Sequence, residues 1–307
     1  MTISTSTGFG RQWLNAGVVD NKGWEVNLFG SPVKNANFEW RVDVNWAANE
    51  NTVVSLPGGL TNILLASVQG GISINATVGE PYGQIRGTDF VIDEASGQRV
   101  IGSNGAYVKT ASTNENLGSY LPEWKAGLNN RFTYKGIALS FLIDMQKGGN
   151  LFSLDQWYGQ GTGLYPNTAG LNELGNPKRN SLADGGGILL EGVQADGTPN
   201  TTRARFDYFA HALGWSKAPN ALHVYDAGFI KLREISLAYT LPSEIFNKDG
   251  LLKSATFTAL GRNLWIIDKS TPYSDPEGGL SSGNIQGYQS GVYPTTTDIG
   301  FSVKLEF

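Results

Sequence analysis

In the last ten residues, Asp298 to Phe307, apolar and non-apolar residues alternate without a break. Ile299, Phe301, Val303, Leu305 and Phe307 fall on one side of an extended strand, and Asp298, Gly300, Ser302, Lys304 and Glu306 on the other. The same period recurs upstream. Phe38, Trp40, Val42, Val44 and Trp46 alternate with Glu39, Arg41, Asp43 and Asn45. Trp124, Ala126, Leu128, Phe132 and Tyr134 share a face that only Asn130 interrupts, opposite Lys125, Asn129, Arg131 and Thr133. Ile137, Leu139, Phe141, Ile143 and Met145 alternate with Ala138, Ser140, Asp144 and Gln146, with Leu142 as the exception. Ile235, Leu237, Tyr239 and Leu241 alternate with Ser236, Ala238 and Thr240, and Trp24, Val26 and Leu28 with Glu25 and Asn27, while Leu251–Trp265 alternates more weakly. This pattern predicts about eight strands, over 10–19, 23–31, 37–48, 123–134, 136–147, 226–241, 252–266 and 296–307. Segments 82–92 and 98–110 read as a hairpin inside a long connection, or as two further strands of the same sheet.

One apolar face needs a cover, which is either a second sheet or lipid. Three features favour lipid. The strands run about 10–13 residues, near the ~9–11 of a tilted bilayer crossing and beyond the ~5–6 of soluble strands. Trp24, Phe38, Trp46, Trp124, Tyr134, Tyr239 and Phe307 sit near strand ends, as in an aromatic girdle. Short connections (31–37, 135–136, 242–250) alternate with long ones (47–122, 147–225, 267–297), the asymmetry of outer-membrane barrels. Composition fits, with 40 Gly in 307 residues, 11% aromatic and only 16% charged. The predicted fold is all-β: an antiparallel transmembrane β-barrel segment with long extracellular loops. The final strand then ends at the periplasmic face.

Other classes recede. No run of 18 apolar residues is present, so an α-helical span is not expected. A net charge of −4 argues against a nucleic-acid partner. With no cysteine, thiolate metal sites and disulfides are excluded. Met1–Thr7 lacks the basic and apolar regions of a signal peptide. His211 and His223 are 12 apart and read as exposed loop histidines rather than a metal pair. Gly159-Gln-Gly-Thr-Gly163 lacks the lysine of a phosphate loop and reads as a flexible loop. Asp275-Pro-Glu-Gly-Gly279 lacks calcium-loop spacing and reads as a proline–glycine turn. No catalytic constellation, metal site or cofactor is expected.

Several segments resemble SusC/RagA-type TonB-linked outer-membrane transporters: Asn15-Ala-Gly-Val-Val-Asp-Asn-Lys-Gly-Trp-Glu25, Val78-Gly-Glu-Pro-Tyr-Gly83, Gly228-Phe-Ile-Lys-Leu-Arg-Glu-Ile-Ser-Leu-Ala-Tyr-Thr-Leu-Pro242 and Gly261-Arg-Asn-Leu-Trp265. Asp275-Pro-Glu277 and Gly291-Val-Tyr-Pro-Thr295 are similar to two further landmarks near that family's C-terminus. The resemblance implies that residues 1–307 form the C-terminal part of a 22-stranded barrel, without the family's plug domain or TonB-contacting segment. It implies uptake of oligosaccharides or peptides across the outer membrane, energised through TonB, with a SusD-like surface lipoprotein as lid. From the residues alone, a self-contained small barrel and a soluble carbohydrate-binding sandwich remain alternatives.

In a barrel, Glu39, Arg41, Asp43, Lys125, Asn129, Arg131, Asp144, Lys304 and Glu306 would line the lumen or brace a plug. Trp157, Tyr158, Tyr165, Tyr208 and Trp215, on the second long loop, are candidates for contact with the lid or, less favoured, with sugar rings. A terminal Phe307 after alternating apolar residues resembles the signal read by the barrel-assembly machinery.

Overall fold

A computed structural model describes residues 5–9, 17–207, 211–246, 251–280 and 282–307. Its main element is one seven-stranded antiparallel sheet, with strands β1 (Val18–Lys34), β2 (Phe38–Ser55), β3 (Trp124–Tyr134), β4 (Ile137–Lys147), β5 (Phe229–Thr240), β6 (Ser254–Lys269) and β7 (Asp298–Glu306). They lie side by side in chain order, an up-and-down meander. The sheet is open, because β1 and β7 do not pair.

The strand expected at 10–19 falls largely on 10–16, outside the described residues. Its end, Val18 and Val19, runs without a turn into the strand expected at 23–31. The alternation failed to show this because Asp20, Asn21 and Lys22 interrupt it, although they pair with Thr52, Asn51 and Glu50 of β2. Asn21 Oδ1 there accepts hydrogen bonds from Asn51 Nδ2 at 2.7 Å and Asn49 Nδ2 at 3.3 Å. Asp20–Lys22 and Asn49–Thr52 make this stretch of the hairpin polar on both strands.

Register joins the apolar stripes into rows. One row runs Leu28, Val44, Leu128, Ile143, Leu232, Trp265, and another Phe38, Tyr134, Ile137, Tyr239, Phe257, Val303. The second row lies at the short-turn end and carries one aromatic band. Trp24, Trp46 and Trp124 lie toward the other end. From Phe38 to Trp46 the strand rises roughly 27 Å, or about 20 Å after a tilt of ~40°, close to a ~25 Å lipid-facing band. Many of these side chains are bare: Phe301 is 85% exposed and Ile299 75%. Asn130, the interruption in the stripe, sits in an apolar row opposite Val42 and Phe141. Its Oδ1 accepts a hydrogen bond from Trp40 Nε1 at 3.1 Å, so the amide is buried and capped by the neighbouring ring. Replacing Phe301 by Arg is expected to cost about 2–4 kcal/mol in lipid. Denaturant titration of the full-length protein in vesicles measures this, and Ser302→Arg, on the opposite face, should cost far less.

The long connections do not hang as separate loops. The first (56–123) carries a four-stranded sheet of Asn62–Val68, Ile72–Thr77, Gln84–Gly87 and Glu115–Ser119. None of its strands joins the seven-stranded sheet, so this region adds no strand to the wall. Of the hairpin expected at 82–92 and 98–110, isolated pairings remain at Phe90–Lys109 and Ile92–Arg99. The second connection supplies Asn150–Ser153 and Val224–Asp226, and the third Tyr288–Gln289, which together form a three-stranded sheet. Ile72, Ile74, Ile85, Phe152, Trp157 and Tyr288 make a common core drawn from all three. They form one folded cap at the long-loop end of the sheet.

Gly159–Gly163 is not a flexible loop. It ends a helix, Leu154–Thr162, whose start and stop are written locally. Ser153 Oγ accepts the Gln156 backbone N–H at 3.1 Å as an N-cap, Asp155 favours the positive helix end, and Gly163 closes it in the left-handed conformation at φ 79°. Two glycines within the helix lower its propensity, and packing restores it: a side chain at Gly159 would strike the Tyr165 ring.

Candidate functional site: an ion-paired latch beneath a tyrosine cleft

Four of the segments singled out in the sequence meet at one place. In β5 the apolar phase slips: Ile230 and Leu232 are even, whereas Ile235, Leu237 and Tyr239 are odd. The structural cause is a bulge, with Arg233 the extra residue between Leu232 and Glu234 against β4. A bulge re-aims side chains. Here it puts Lys231, Arg233 and Glu234 all on the face opposite the apolar rows. Lys231 Nζ donates to Asp275 Oδ1 and to Glu277 Oε2, each at 2.5 Å. Arg233 Nη2 donates to Glu277 Oε1 at 2.5 Å, and its Nε to Asp144 Oδ2 at 2.7 Å. Thr295 Oγ1 donates to Asp275 Oδ2 at 2.7 Å, and Arg262 Nε to Glu234 Oε2 at 3.0 Å.

Asp275-Pro-Glu277 is thus more than a turn. It latches the third long connection to the wall. Lys231 and Asp275 are almost fully enclosed, with side chains 5% and 9% exposed. Burial opposes ionisation of both carboxyls. Hydrogen bonds from Lys231, the Glu277 backbone and Thr295 outweigh it at Asp275, and those from Arg233 and Lys231 at Glu277, so both are held below the usual range. Sequence reading missed Lys231, Arg233 and Glu277 as a unit. The usable signal was two i, i+2 pairs of opposite charge, together with the phase slip.

Above the latch lies a cleft of about 540 Å³ between the helix and the third connection. Its walls include Tyr158, Tyr165, Tyr273, Tyr293, Asp155 and Thr162. Tyr165 and Tyr273 stack at 4.6 Å with planes 9° apart. Asp155 Oδ1 accepts the Gly291 N–H at 2.8 Å, tying the two sides together. Burial, with Asp155 and Tyr273 nearby, pushes the Tyr165 phenol up to about 12, so it stays a neutral donor at physiological pH. Tyr293 is 94% exposed. The arrangement offers aromatic faces and hydroxyl groups; of the two carboxylates in its lining, Asp155 accepts from the Gly291 N–H and Asp275 from Lys231 and Thr295.

The expected site residues divide. By register, Glu39, Arg41, Asp43, Lys125, Asn129, Arg131, Asp144 and Lys304 do share the sheet face opposite the apolar rows. Arg41 lies opposite Arg131, a like-charge pair, and Asp43 offsets it by accepting from Arg41 Nη2 at 3.0 Å. Glu39 accepts from Ser31 Oγ at 2.7 Å, and Lys304 pairs with Glu306 at 2.6 Å. Only Asp144 enters the latch. Of the loop aromatics, Tyr158 and Tyr165 line the cleft and Trp215 lines a second pocket. Tyr208 lies outside the described residues. Trp157 is corrected: at 5% exposure it belongs to the cap core, because its ring packs on Tyr158 and Trp215.

The histidines are corrected as well. His211 and His223 are 2% and 1% exposed, since the loop carrying them folds inward against other loops. His211 stacks on Phe206 at 3.9 Å, and His223 meets Phe152 edge-on at 6.5 Å. Burial, aided by Arg179 at His211 and by His211 at His223, lowers both to about 4. Between pH 6.5 and 4 the unfolded cap therefore takes up protons that the folded cap refuses. Its stability is complete above pH 6.5 and falls on acidification, by about 2 kcal/mol per histidine at pH 5. Hydrogen exchange of residues 211–224 in the full-length protein should speed up between pH 7 and 5, after correction for intrinsic rates. His223→Gln should blunt the effect. Among the described residues no group of three or more His, Asp or Glu side chains is placed to hold a metal ion.

No family model matches the sequence. Similarity to TonB-dependent receptor P26 of Formosa agariphila covers 100% of this chain, at 28% identity over 334 residues. TonB-dependent receptor P39 of the same organism matches at 24% identity over 99% of the chain. The chain spans only 31% and 32% of these two relatives' lengths. Among solved structures, the RagAB peptide transporter shares the fold, with a TM-score of 0.66 at 18% identity, over 100% of this chain and 31% of that one. The RagAB peptide importer in its closed-closed state gives 0.67 at 19% identity, over 99% and 31%.

Proposed function

We propose that this chain, whose homologues along its whole length are named TonB-dependent receptors, is the C-terminal barrel portion of a SusC/RagA-type outer-membrane transporter. In this reading the apolar rows meet lipid, and the face bearing Arg41, Asp43, Asn129, Arg131 and Asp144 meets a water-filled lumen or a plug. The long-loop cap lies outside the cell, and the short turns and Phe307 lie at the periplasmic rim. The barrel-assembly machinery recognises the Phe307 strand. Upstream strands of the same protein pair with the free edges of β1 and β7 and close the barrel.

The whole transporter takes up an oligosaccharide or peptide with energy delivered through TonB. A SusD-like lipoprotein covers the cap, where the tyrosine cleft meets the lid or the cargo. One observation carries the reading: lipid-compatible rows run in register across seven strands, and every long connection folds into one cap at the same end. A self-contained small barrel accords poorly with the outer edges of β1 and β7, neither of which is paired among the described residues. The test is uptake in cells producing the full-length protein. Cargo accumulation that depends on this protein should vanish when TonB is disabled, and TonB-independent accumulation would refute the proposal.

A further inference from the structure

We infer that a second pocket of the cap, lined by residues 102–109, Arg205 and 211–217, binds an acidic saccharide, one bearing carboxylate or sulfate groups. The inference rests on the reading above, in which the cap faces the outside. The pocket is about 840 Å³, within the usual range for ligand sites. Among the described residues its lining holds three cationic side chains, Lys109, Arg205 and Lys217, and no carboxylate. That is unusual in a chain with 27 acidic and 23 basic residues. Nearby, Asp207 accepts from Arg205 Nε at 3.0 Å and Nη2 at 3.2 Å, which orients that guanidinium. Lys109 Nζ donates to the Ser216 carbonyl at 2.9 Å, leaving two of its three hydrogens for a ligand.

Two aromatic rings, Tyr107 and Trp215, share the lining, and both are set in place by their surroundings. Tyr107 meets Phe90 edge-on at 5.1 Å, and Arg99 lies 3.9 Å over the Phe90 ring. Trp215 has a backbone φ of 50°, a conformation a bulky residue adopts only when its surroundings impose it. The preceding Gly214 is pressed against Gly161, where a side chain would collide with the backbone. The Trp215 ring also packs against Trp157 at 5.7 Å and Tyr158 at 5.4 Å, so the edge of the cap core fixes it in the pocket wall.

Rings for the C–H faces of a pyranose, with cations and the Asn104 amide at its rim, match an acidic sugar. An extended acidic peptide would draw affinity from pairing with a strand edge. None of the lining residues belongs to a strand of the described sheets.

The test is calorimetry on the full-length protein in detergent micelles. The probes are tetragalacturonate, a sulfated carrageenan tetrasaccharide, neutral cellotetraose and tetraglutamate. One or both acidic sugars should bind, which separates carboxylate from sulfate recognition. Binding should weaken with added salt, and the double variant K109Q/K217Q should weaken it at least about tenfold. Both lysines are exposed, so that variant keeps its fold. Binding of neither acidic sugar, equal binding of cellotetraose, tetraglutamate as the better ligand, or an unchanged double variant would each overturn the inference. Failure here leaves TonB-dependent uptake intact, whereas failure of the transport reading appears in the uptake assay and not in this one.

Discussion

Replacing Lys231 by Met should free the third long connection from the wall and make residues 270–297 protease-sensitive. The ammonium group bonds two carboxylates at 2.5 Å in a nearly closed site. Met fills a similar volume, so the effect is electrostatic rather than a cavity. Removing one partner of a buried ion pair leaves the other uncompensated, at a cost of about 3–5 kcal/mol. Asp275 would keep Thr295 as a donor, and Glu277 would keep Arg233. A local opening made easier by ~3 kcal/mol raises the open population roughly hundredfold, and proteolysis follows that population when closing is fast. The measurement is the cleavage rate within 270–297 of the folded full-length protein. Lys231→Arg should restore much of the resistance. A Lys231→Met protein as resistant as its parent would show that the latch does not hold the cap. The cleft tyrosines Tyr273 and Tyr293 lie on the same connection, so cargo or lid binding should weaken together with protease resistance.

Residues 1–307 produced alone should fail to form a heat-modifiable barrel in detergent, whereas the full-length protein should form one. The reason lies in the edges. In a strand, alternate N–H and C=O groups point toward each neighbour, so the nine residues of β7 leave about half of theirs unpaired on the outer edge. Among the described residues, the seventeen-residue β1 does the same on the opposite side. Each unsatisfied group in hydrocarbon costs several kcal/mol. The sum is of order tens of kcal/mol, beyond the ~5–15 kcal/mol that holds a domain folded. Co-expression with the upstream region, or fusion to it, should restore folding. A heat-modifiable, monomeric isolated chain would mean that the edges find each other, and would favour a small closed barrel.

The readable parts of this protein were those governed by local alternation. Strands β3, β4, β5, β6 and β7 lie close to their expected bounds, β2 starts where expected but runs on to Ser55, past its expected end at 48, and the short and long connections alternate as read. Asn130 looked like a fault in the pattern because its partner, Trp40, is 90 residues away in sequence. Trp157 looked like a loop aromatic because nothing in its own segment announces a core assembled from three connections. The two histidines looked exposed for the same reason. The helix Leu154–Thr162 was obscured by glycines that its neighbours require.

By itself the sequence determined the strand faces, the side of the sheet bearing the polar groups and the alternation of connections, because each depends on residues two apart or on turn chemistry. Only the tertiary structure decided that separate charged motifs form one latch, that the long loops share a core, and that two aromatic-lined pockets open among them. Those depend on side chains from distant segments meeting in space, and on the one-residue bulge at Arg233 that turns three successive polar groups of β5 to a single face.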